Sequence, residues 1–321
     1  FSKAWGTALS DKPGMTITDM IPAMLAGKLK GLYIIGENPK LSDPDWNHLQ
    51  HALNRLDLLV VQELFLSETA QVADVVLPAA SVAEKDGTFT NSERRCSRVH
   101  KAIEPVGNSR PDWWIIGQVG QRMGGRGFNF TGPSRIMDEI ARLTPSYGGI
   151  AYRRLEKGGL QWPCPTREHP GTPILHTETF TRGKGQFIPL EYKPSVELPD
   201  EDYPLVLTTG RSLFHFHTGT MSRKVKGLNI FHGEELVEIN PQDALALGIS
   251  DGDTVRVVSR RGSVTAKAKI TEVSPVGVIF MTFHFWESPT NQLTIQALDP
   301  VAKIPEFKVC AVRVEKHGSP S

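Results

Sequence analysis

Polar side chains follow two predicted strands near the start of the chain. The apolar runs Gly31–Ile35 and Leu58–Gln62 are typical of buried strands, and Asn38 and Glu63 come soon after them. In open α/β sheets, ligands bind outside the carboxyl ends of the strands. A carboxylate such as Glu63 can accept from the ring N–H and the exocyclic amine of guanine, a donor pair that adenine lacks. The pattern is compatible with a guanine nucleotide, although ordinary polar loops contain the same residue types.

A second cluster is the charged segment Glu84–Asn91, which runs into Arg94 and Arg95. Lysine and arginine side chains in such a glycine-centred loop can bind phosphate, and Lys85 is the first of them. A solvated turn with surface ion pairs would show the same pattern. The sequence therefore leaves open whether this segment binds phosphate or is a charged surface turn.

The densest group of hydrogen-bond donors lies in Thr208–Gly219. A predicted strand ends there in Gly210 and Arg211, and two histidines, His215 and His217, then alternate with phenylalanines. Arginine, histidine and hydroxyl side chains suit phosphates and hydroxyl groups. Two histidines two residues apart, without a third ligand nearby, are a weak indication of a metal site. A strand with one polar face would also explain the alternation.

Aromatic residues cluster near the end of the chain, at Phe283–Trp286, with Asn291 and Pro305–Lys308 following. Such rings can stack on a planar heterocycle, and equally they can belong to a core. We find no G-x-G-x-x-G or Walker loop, no Ser-His-Asp elbow and no zincin helix in the sequence. The chain thus offers many binding groups without a recognisable reaction centre.

The elements that must position these residues change in character along the chain. The first part alternates strands with amphipathic helices, predicted at Trp46–Leu56, Trp113–Met123 and Ser134–Leu143, and Val72–Leu77 is a further short apolar run. This βαβ rhythm predicts parallel strands with helices packed against them.

The second part is predicted to be a β-barrel of about 120 residues. A long connection, residues 148–200, precedes strand-like segments at Leu205–Thr208, Glu235–Ile239, Thr254–Ser259, Ser263–Ile270 and Gly277–Phe283. One short helix is marked by Asn240 as its cap, Pro241 at its first position and Gly248 at its exit. We therefore divide the chain into an α/β domain, residues 1–198, and a β-barrel domain, residues 199–321.

Composition narrows the function classes. The 36 Lys and Arg residues nearly balance the 35 Asp and Glu residues, so no overall field favours nucleic acid. No apolar run approaches the roughly 18 to 20 residues of a membrane span. Cys96, Cys164 and Cys310 form no C-x-x-C pair, and we expect them to be core thiols rather than cluster ligands. The start at Phe1, without Met, leads us to expect a fragment or a processed piece, and a split subunit is the alternative.

Longer runs of sequence resemble the carboxyl-terminal half of molybdopterin oxidoreductases of the dimethyl-sulfoxide-reductase superfamily. The resemblance lies in the segments Ala73–Pro78, Glu84–Arg95, Thr209–Gly219 and Lys308–Val312. Phe1–Gly6 and Gln161–Cys164 are most similar to formate dehydrogenase catalytic subunits, and periplasmic-type nitrate reductases share several of the other motifs.

The resemblance implies two molybdopterin guanine dinucleotides that hold one molybdenum or tungsten, and a double-psi β-barrel as the last domain. It implies formate or carbon dioxide as substrate, with electrons leaving through a 4Fe-4S cluster in a missing amino-terminal half and through iron-sulfur partner subunits. We expect a cytoplasmic location, with the periplasm as the alternative. We do not expect nucleic acid as a partner, nor a membrane span in this chain.

The resemblance also assigns residues to the cofactor. In the α/β domain, a guanine dinucleotide is expected to contact Asn38, Gln62, Glu63, Lys85 and Asp112. The segment expected to wrap the pterin and pyrophosphate comprises Thr209, Gly210, Arg211, Ser212, His215, His217 and Thr218, and those expected to close over it are Phe283, Asn291 and Lys308.

The resemblance assigns neither a catalytic residue nor a metal ligand to this chain. In the family, the cluster cysteines, the metal-ligating Cys or selenocysteine and the His and Arg that act on formate all lie upstream. Two alternatives therefore stay open. One is part of a nitrate reductase or another molybdoenzyme, and the other is a cofactor-binding module without a reaction centre.

Overall fold

The computed structural model describes residues 1–317. Its helices are, in chain order, α1 (Ser2–Trp5), α2 (Ile17–Leu25), α3 (Pro39–Ser42), α4 (Trp46–Leu53), α5 (Asp112–Arg122), α6 (Pro133–Leu143), α7 (Tyr152–Leu155), α8 (Lys226–Phe231) and α9 (Pro241–Leu247). Its strands are β1 (Gly31–Ile35), β2 (Leu58–Glu63), β3 (Val75–Pro78), β4 (Gly87–Thr90), β5 (Arg95–Val99), β6 (Leu160–Gln161), β7 (Leu205–Gly210), β8 (Leu236–Ile239), β9 (Thr254–Val258), β10 (Ser263–Ile270), β11 (Val278–Thr282) and β12 (Cys310–Lys316).

These elements form two compact units that do not follow the order of the chain. The first unit consists of Phe1–Pro13 with Leu77–Glu191, and the second of Gly14–Val76 with the chain from Tyr192 onward. The predicted division between residues 198 and 199 concerns family domains, not these units, and it stays a prediction.

Two parallel strands are the centre of the α/β part of the second unit. Gly31 in β1 lies opposite Leu58 in β2, and the register continues to Ile35 opposite Gln62, with β3 as the third strand of the sheet. Helices α2 and α4 contribute apolar side chains to the same core as the strands. This core contains Ile21, Met24, Ile34, Leu49, Ala52, Leu53, Leu59 and Val61. The predicted strand–helix–strand pattern is confirmed here.

Helix α4 is shorter than the sequence predicts. It begins after Asp45, whose carboxylate accepts a hydrogen bond from the His48 N–H at 3.3 Å, and it ends at Leu53 instead of Leu56. Leu56 is half-buried and packs against the same core from the turn that follows. The helical spacing of apolar residues therefore extends beyond the end of the helix, because Leu56 reaches the core from the turn.

The second part of this unit is a closed six-stranded barrel in the order β10-β8-β11-β7-β12-β9. β7 with β11 and β8 with β10 are parallel pairs, and the other neighbours are antiparallel. The strict alternation in β10 places Val264, Ala266 and Ala268 in the core, as predicted. The fold class, a parallel-sheet α/β region followed by a double-psi β-barrel, is confirmed.

The barrel also contains one strand that the pattern analysis did not predict. β12 pairs with both β7 and β9 and thereby closes the barrel. Its first three residues, Cys310, Ala311 and Val312, are all buried, so an alternation of two is absent where the strand begins. Helix α9, in contrast, has the predicted caps: the Asn240 side chain accepts from the Gln242 N–H, and Gly248 adopts a left-handed conformation with φ 65°.

The first unit is built around a small antiparallel sheet in the order β4-β5-β6. Its core consists of Cys96, Met137, Ile150, Leu155 and Cys164. The charged segment Glu84–Asn91 is not one loop: Glu84 ends a capped turn with Ser81, and Gly87–Thr90 is strand β4. The predicted helices near Trp113 and Ser134 are α5 and α6.

The predicted long connection, residues 148–200, contains helix α7 and the two-residue strand β6, and is mainly irregular after Gln161. The three cysteines are free and buried, as expected of core thiols. Burial raises the pKa of Cys310 to about 12. Within residues 1–317, the helices are all too short or too polar to cross a bilayer.

Candidate cofactor-binding site

A cavity of about 440 Å³ lies at one end of the barrel. β7 and β11 run parallel and end here, and β12 begins here because it is antiparallel to β7. Seven of the predicted site residues line this barrel-end cavity together with Ser42 and Phe307, namely Thr209, Gly210, Arg211, His217, Phe283, Asn291 and Lys308. Residues far apart in the sequence therefore meet because their strands share one end of the barrel.

The barrel-end cavity is suited to an anion. Arg211 and Lys308 both line it, and the residues described as lining it include no carboxylate. Burial, and then the charge of Arg211, lower the pKa of Lys308, whose Nζ donates to the Thr209 carbonyl at 2.5 Å. Arg211 and Lys308 are both exposed, and two cations that disfavour each other at one cavity are stabilised by a bound phosphate or pyrophosphate.

An unsatisfied amide oxygen belongs to the same cavity. Asn291 is 5% exposed, and its Nδ2 donates to the carbonyls of Leu41 and Ser42, each at 3.0 Å. Its Oδ1 has no hydrogen-bond partner among the described residues. Buried polar atoms are rarely left unpaired, so a ligand with an N–H donor fits this position. A pterin or guanine ring offers such donors, and the Phe283 ring beside Arg211 offers an apolar face.

A second cavity, of about 280 Å³, lies at the carboxyl ends of β1 and β2. Ser42 and His217 line both this strand-end cavity and the barrel-end cavity. The remaining lining residues are Gly36, Glu37, Asn38, Glu63, Phe216, Thr218, Thr220 and Met221. The predicted residues Asn38, Glu63 and Thr218 are thus brought together, as the strand-end argument requires.

Asn38 and Glu63 differ in the hydrogen bonds that their side chains make within the protein. The Asn38 amide accepts from Thr69 and donates to Glu68 and Thr220, so its side chain stabilises the loop around the cavity. Glu63 is 8% exposed, and its Oε1 accepts from the N–H of Leu64 at 2.7 Å. A carboxylate can accept several hydrogen bonds at once, so the contact with Leu64 is compatible with acceptance from guanine.

Three predicted residues in this unit are not among those that line the two cavities, namely Gln62, Ser212 and His215. Gln62 is fully buried, and its Oε1 accepts from the Tyr33 hydroxyl at 2.5 Å. His215 is also buried, with its ring nitrogens near the Ser222 hydroxyl and the His232 carbonyl. Ser212 donates its backbone N–H to His284 at 2.8 Å. The binding roles of these residues stay predictions.

The histidine segment is an irregular loop, not a strand with one polar face. His217 lines both cavities in a left-handed conformation with φ 49°, and its ring packs edge-on against Phe283. His215 points into the protein, so the two histidines do not act as a pair. Within residues 1–317, groups of three or more residues that could hold a metal ion are absent.

Lys85 and Asp112 form an ion pair with each other inside the first unit. Lys85 lines a cavity of about 420 Å³ there, along with Arg110 and Trp113. Both side chains are half-buried, so the pair is more than a freely solvated contact. Their assignment to the cofactor stays a prediction.

Ser42 and Phe307 are site residues that the sequence reasoning missed. Ser42 ends the short helix α3, and only its position beside Asn291 places it in the barrel-end cavity. Phe307 lies in Pro305–Lys308, a segment that the sequence analysis noted without assigning this ring. Neither residue carries a signal of its own, because a serine at the end of a short helix and a phenylalanine beside a strand also occur where no ligand binds.

Two family models match the chain. Molybdopterin oxidoreductase matches residues 2–122, and the Molydopterin dinucleotide binding domain matches residues 205–311. These matches confirm the resemblance to the molybdopterin oxidoreductases that the motifs indicate, with the dinucleotide-binding domain in the second part of the chain.

Two relatives show which enzymes of this kind the chain is similar to. The chain is 52% identical to the F420-dependent formate dehydrogenase subunit alpha of Methanocaldococcus jannaschii, over 98% of this chain and 47% of the relative. It is 39% identical to the assimilatory nitrate reductase catalytic subunit of Bacillus subtilis, over 98% of this chain and 46% of that protein. The chain thus spans about half the length of these curated relatives.

A solved structure agrees with the fold. Acetylene hydratase from Pelobacter acetylenicus superposes with a TM-score of 0.71 at 17% identity, over 93% of this chain and 46% of that protein. At this identity the likeness shows the fold alone. It supports the arrangement of an α/β region and a barrel.

Proposed function

We propose that this chain is the carboxyl-terminal part of a formate dehydrogenase catalytic subunit, which interconverts formate and carbon dioxide by two-electron transfer. The observation that carries the proposal is the barrel-end cavity, where Arg211, Lys308 and the unsatisfied amide oxygen of Asn291 come together within the dinucleotide-binding domain. The 52% identity to a formate dehydrogenase alpha subunit supports formate as the substrate.

In this proposal, the chain binds and orients molybdopterin guanine dinucleotide. Arg211 and Lys308 neutralise phosphate charge, and Glu63 accepts from guanine. The metal carried by the bound cofactor, molybdenum or tungsten, supplies the two-electron redox chemistry. The full set of residues assigned to cofactor binding is Asn38, Gln62, Glu63, Lys85, Asp112, Thr209, Gly210, Arg211, Ser212, His215, His217, Thr218, Phe283, Asn291 and Lys308.

The partners belong to the proposal as well. An amino-terminal half with a 4Fe-4S cluster would complete the catalytic subunit, and iron-sulfur subunits would accept the electrons. The name of the archaeal relative indicates F420 as a further acceptor to test. We propose a cytoplasmic protein whose family domains divide between residues 198 and 199.

The test uses the complete product of the gene that encodes this chain, purified without oxygen. Formate-dependent reduction of a viologen dye is the expected activity. An Arg211→Gln variant is expected to lose bound cofactor, whereas Arg55→Gln, an exposed arginine of the same unit, keeps it. Cofactor-loaded protein without formate oxidation would contradict the proposal.

A nitrate reductase is the second candidate, because the Bacillus subtilis relative is 39% identical over nearly the whole chain. The same preparation separates the two functions. Nitrate-dependent oxidation of reduced viologen, without formate oxidation, would favour nitrate reductase.

A further inference from the structure

His284 joins the two ends of the loop that carries Arg211 and His217. Its Nε2 accepts from the backbone N–H of Ser212 at 2.8 Å, and its Nδ1 donates to the backbone carbonyl of His217. These partners are 72 and 67 residues away in the sequence, and the His284 side chain is fully buried. A single imidazole therefore connects the barrel to both ends of the 211–217 loop.

The other contacts of the loop lie in its middle, where the buried His215 ring meets the Ser222 hydroxyl and the His232 carbonyl and Phe214 stacks on Phe231. Residues 211–217 are outside helices and strands, and His217 adopts a left-handed conformation, which is unfavourable for a residue with a side chain. The Phe216 N–H donates to the Ser222 hydroxyl at 3.0 Å, in the middle of the segment. The hydrogen bonds of His284 act at its two ends, beside the two side chains that line the barrel-end cavity.

We propose that His284 is a positioning residue, which fixes the 211–217 loop so that Arg211 and His217 are held at the barrel-end cavity before a ligand binds. The part of this inference that concerns the ligand rests on the proposed function. The part that concerns the loop stands on the contacts alone. His284 itself does not line either cavity among the residues described, so its effect on binding is indirect.

The surroundings of His284 keep the imidazole in the required form. Burial, with the charges of the neighbouring His215, His232 and Arg211, lowers the pKa of His284 to about 4. Only the neutral ring can accept at Nε2 while it donates at Nδ1. The rings of His215 and His232 pack against it at 5.6 and 6.4 Å between centroids.

Three substitutions separate the two hydrogen bonds. His284→Phe keeps a ring but leaves the Ser212 N–H and the His217 carbonyl without this partner. His284→Gln places an amide oxygen near the former Nε2, so it can still accept from the Ser212 N–H. His284→Asn places an amide nitrogen near the former Nδ1, so it can still donate to the His217 carbonyl. His232→Phe is the matched control, since it changes a histidine of the same ring cluster whose side chain makes no described hydrogen bond to Ser212 or His217.

The measurement is amide hydrogen exchange by NMR on the 321-residue chain, followed by titration with guanosine diphosphate. We expect the Ser212 amide to exchange at least about tenfold faster in His284→Phe and His284→Asn, and to stay protected in His284→Gln and His232→Phe. The amide of Ala266, in β10, reports whether the barrel remains folded in each variant. Guanosine diphosphate affinity is expected to fall on the order of tenfold in His284→Phe.

Unchanged exchange at Ser212 in both His284→Phe and His284→Asn would overturn the inference. If His284→Phe does not fold, the contrast between the Gln and Asn variants decides, since both carry an amide and each retains a different one of the two hydrogen bonds. A wild-type chain that does not bind guanosine diphosphate would count against the proposed function, whereas the exchange data would still decide the role of His284.

Discussion

Arg211 and Lys308 show how single residues determine what the barrel-end cavity accepts. Because Arg211 lowers the pKa of Lys308, Arg211→Gln is expected to raise it, and a titration of the ¹⁵N-labelled Lys308 amine would detect the change. The same variant is expected to bind guanosine diphosphate about 10- to 100-fold more weakly, because a hydrogen-bonded cation is lost. Unchanged lysine titration would show that the two side chains are not close in solution.

Glu235 gives a pH-dependent prediction at the residue scale. Burial raises its pKa from 4.5 to about 8, although Thr282 donates to the carboxylate from its N–H at 2.8 Å and from its hydroxyl. A folded-state pKa above the unfolded one means that the folded state binds the proton more tightly. The stabilisation from this group is therefore complete below about pH 4.5 and decreases as the pH rises towards 8.

The comparison of wild type with Glu235→Gln tests this sign. Between pH 5 and 8, the unfolding free energy of the wild type is expected to fall relative to the variant, by at most about 1.36 kcal/mol per pH unit. Chemical unfolding at several pH values measures the difference. A difference that stays constant over this range would contradict the raised pKa.

At the scale of elements, the conformation at the end of β7 requires that the Gly210 backbone lie close to the Phe280 ring. A Cβ added at Gly210 would lie 2.4 Å from the Phe280 ring in the neighbouring strand β11. Gly210→Ala is therefore expected to destabilise the chain by about 1 to 3 kcal/mol and to displace the start of the 211–217 loop.

Gly227→Ala is the matched control for this substitution. Gly227 lies in helix α8 with open space where its Cβ would be, so alanine is expected to be neutral or to stabilise by up to about 1 kcal/mol. Urea unfolding of both variants measures the contrast. Equal stability of the two variants would contradict the contact between Gly210 and Phe280.

The elements differ in how well their sequence predicts them. β1 and β10 have the predicted bounds, since a buried apolar run and a strict alternation are direct signals of strands. Helix α4 was predicted three residues too long because Leu56 reaches the core from a turn. β12 was missed because three consecutive buried residues hide its alternation, and only its two neighbours in the barrel explain them.

At the scale of the whole molecule, the sequence predicts only some of the residues that line the barrel-end cavity. Glycine, arginine and histidine in one segment indicated phosphate binding, and the cavity brings Arg211 together with Lys308, nearly a hundred residues later. Which histidine faces a ligand could not be predicted, because His215 and His217 have the same residue type and only the loop conformation separates them. Ser42 joins the site only through the packing of α3 on Asn291.

The measurement that tests the central claim most directly is the nucleotide content of the complete gene product, released by acid after anaerobic purification. The account predicts guanosine monophosphate in at least stoichiometric amount, together with molybdenum or tungsten, and a clear loss of both in Arg211→Gln but not in Arg55→Gln. A protein that folds and is purified under molybdopterin-replete conditions, yet releases no guanine nucleotide, would contradict the assignment of the barrel-end cavity to this cofactor.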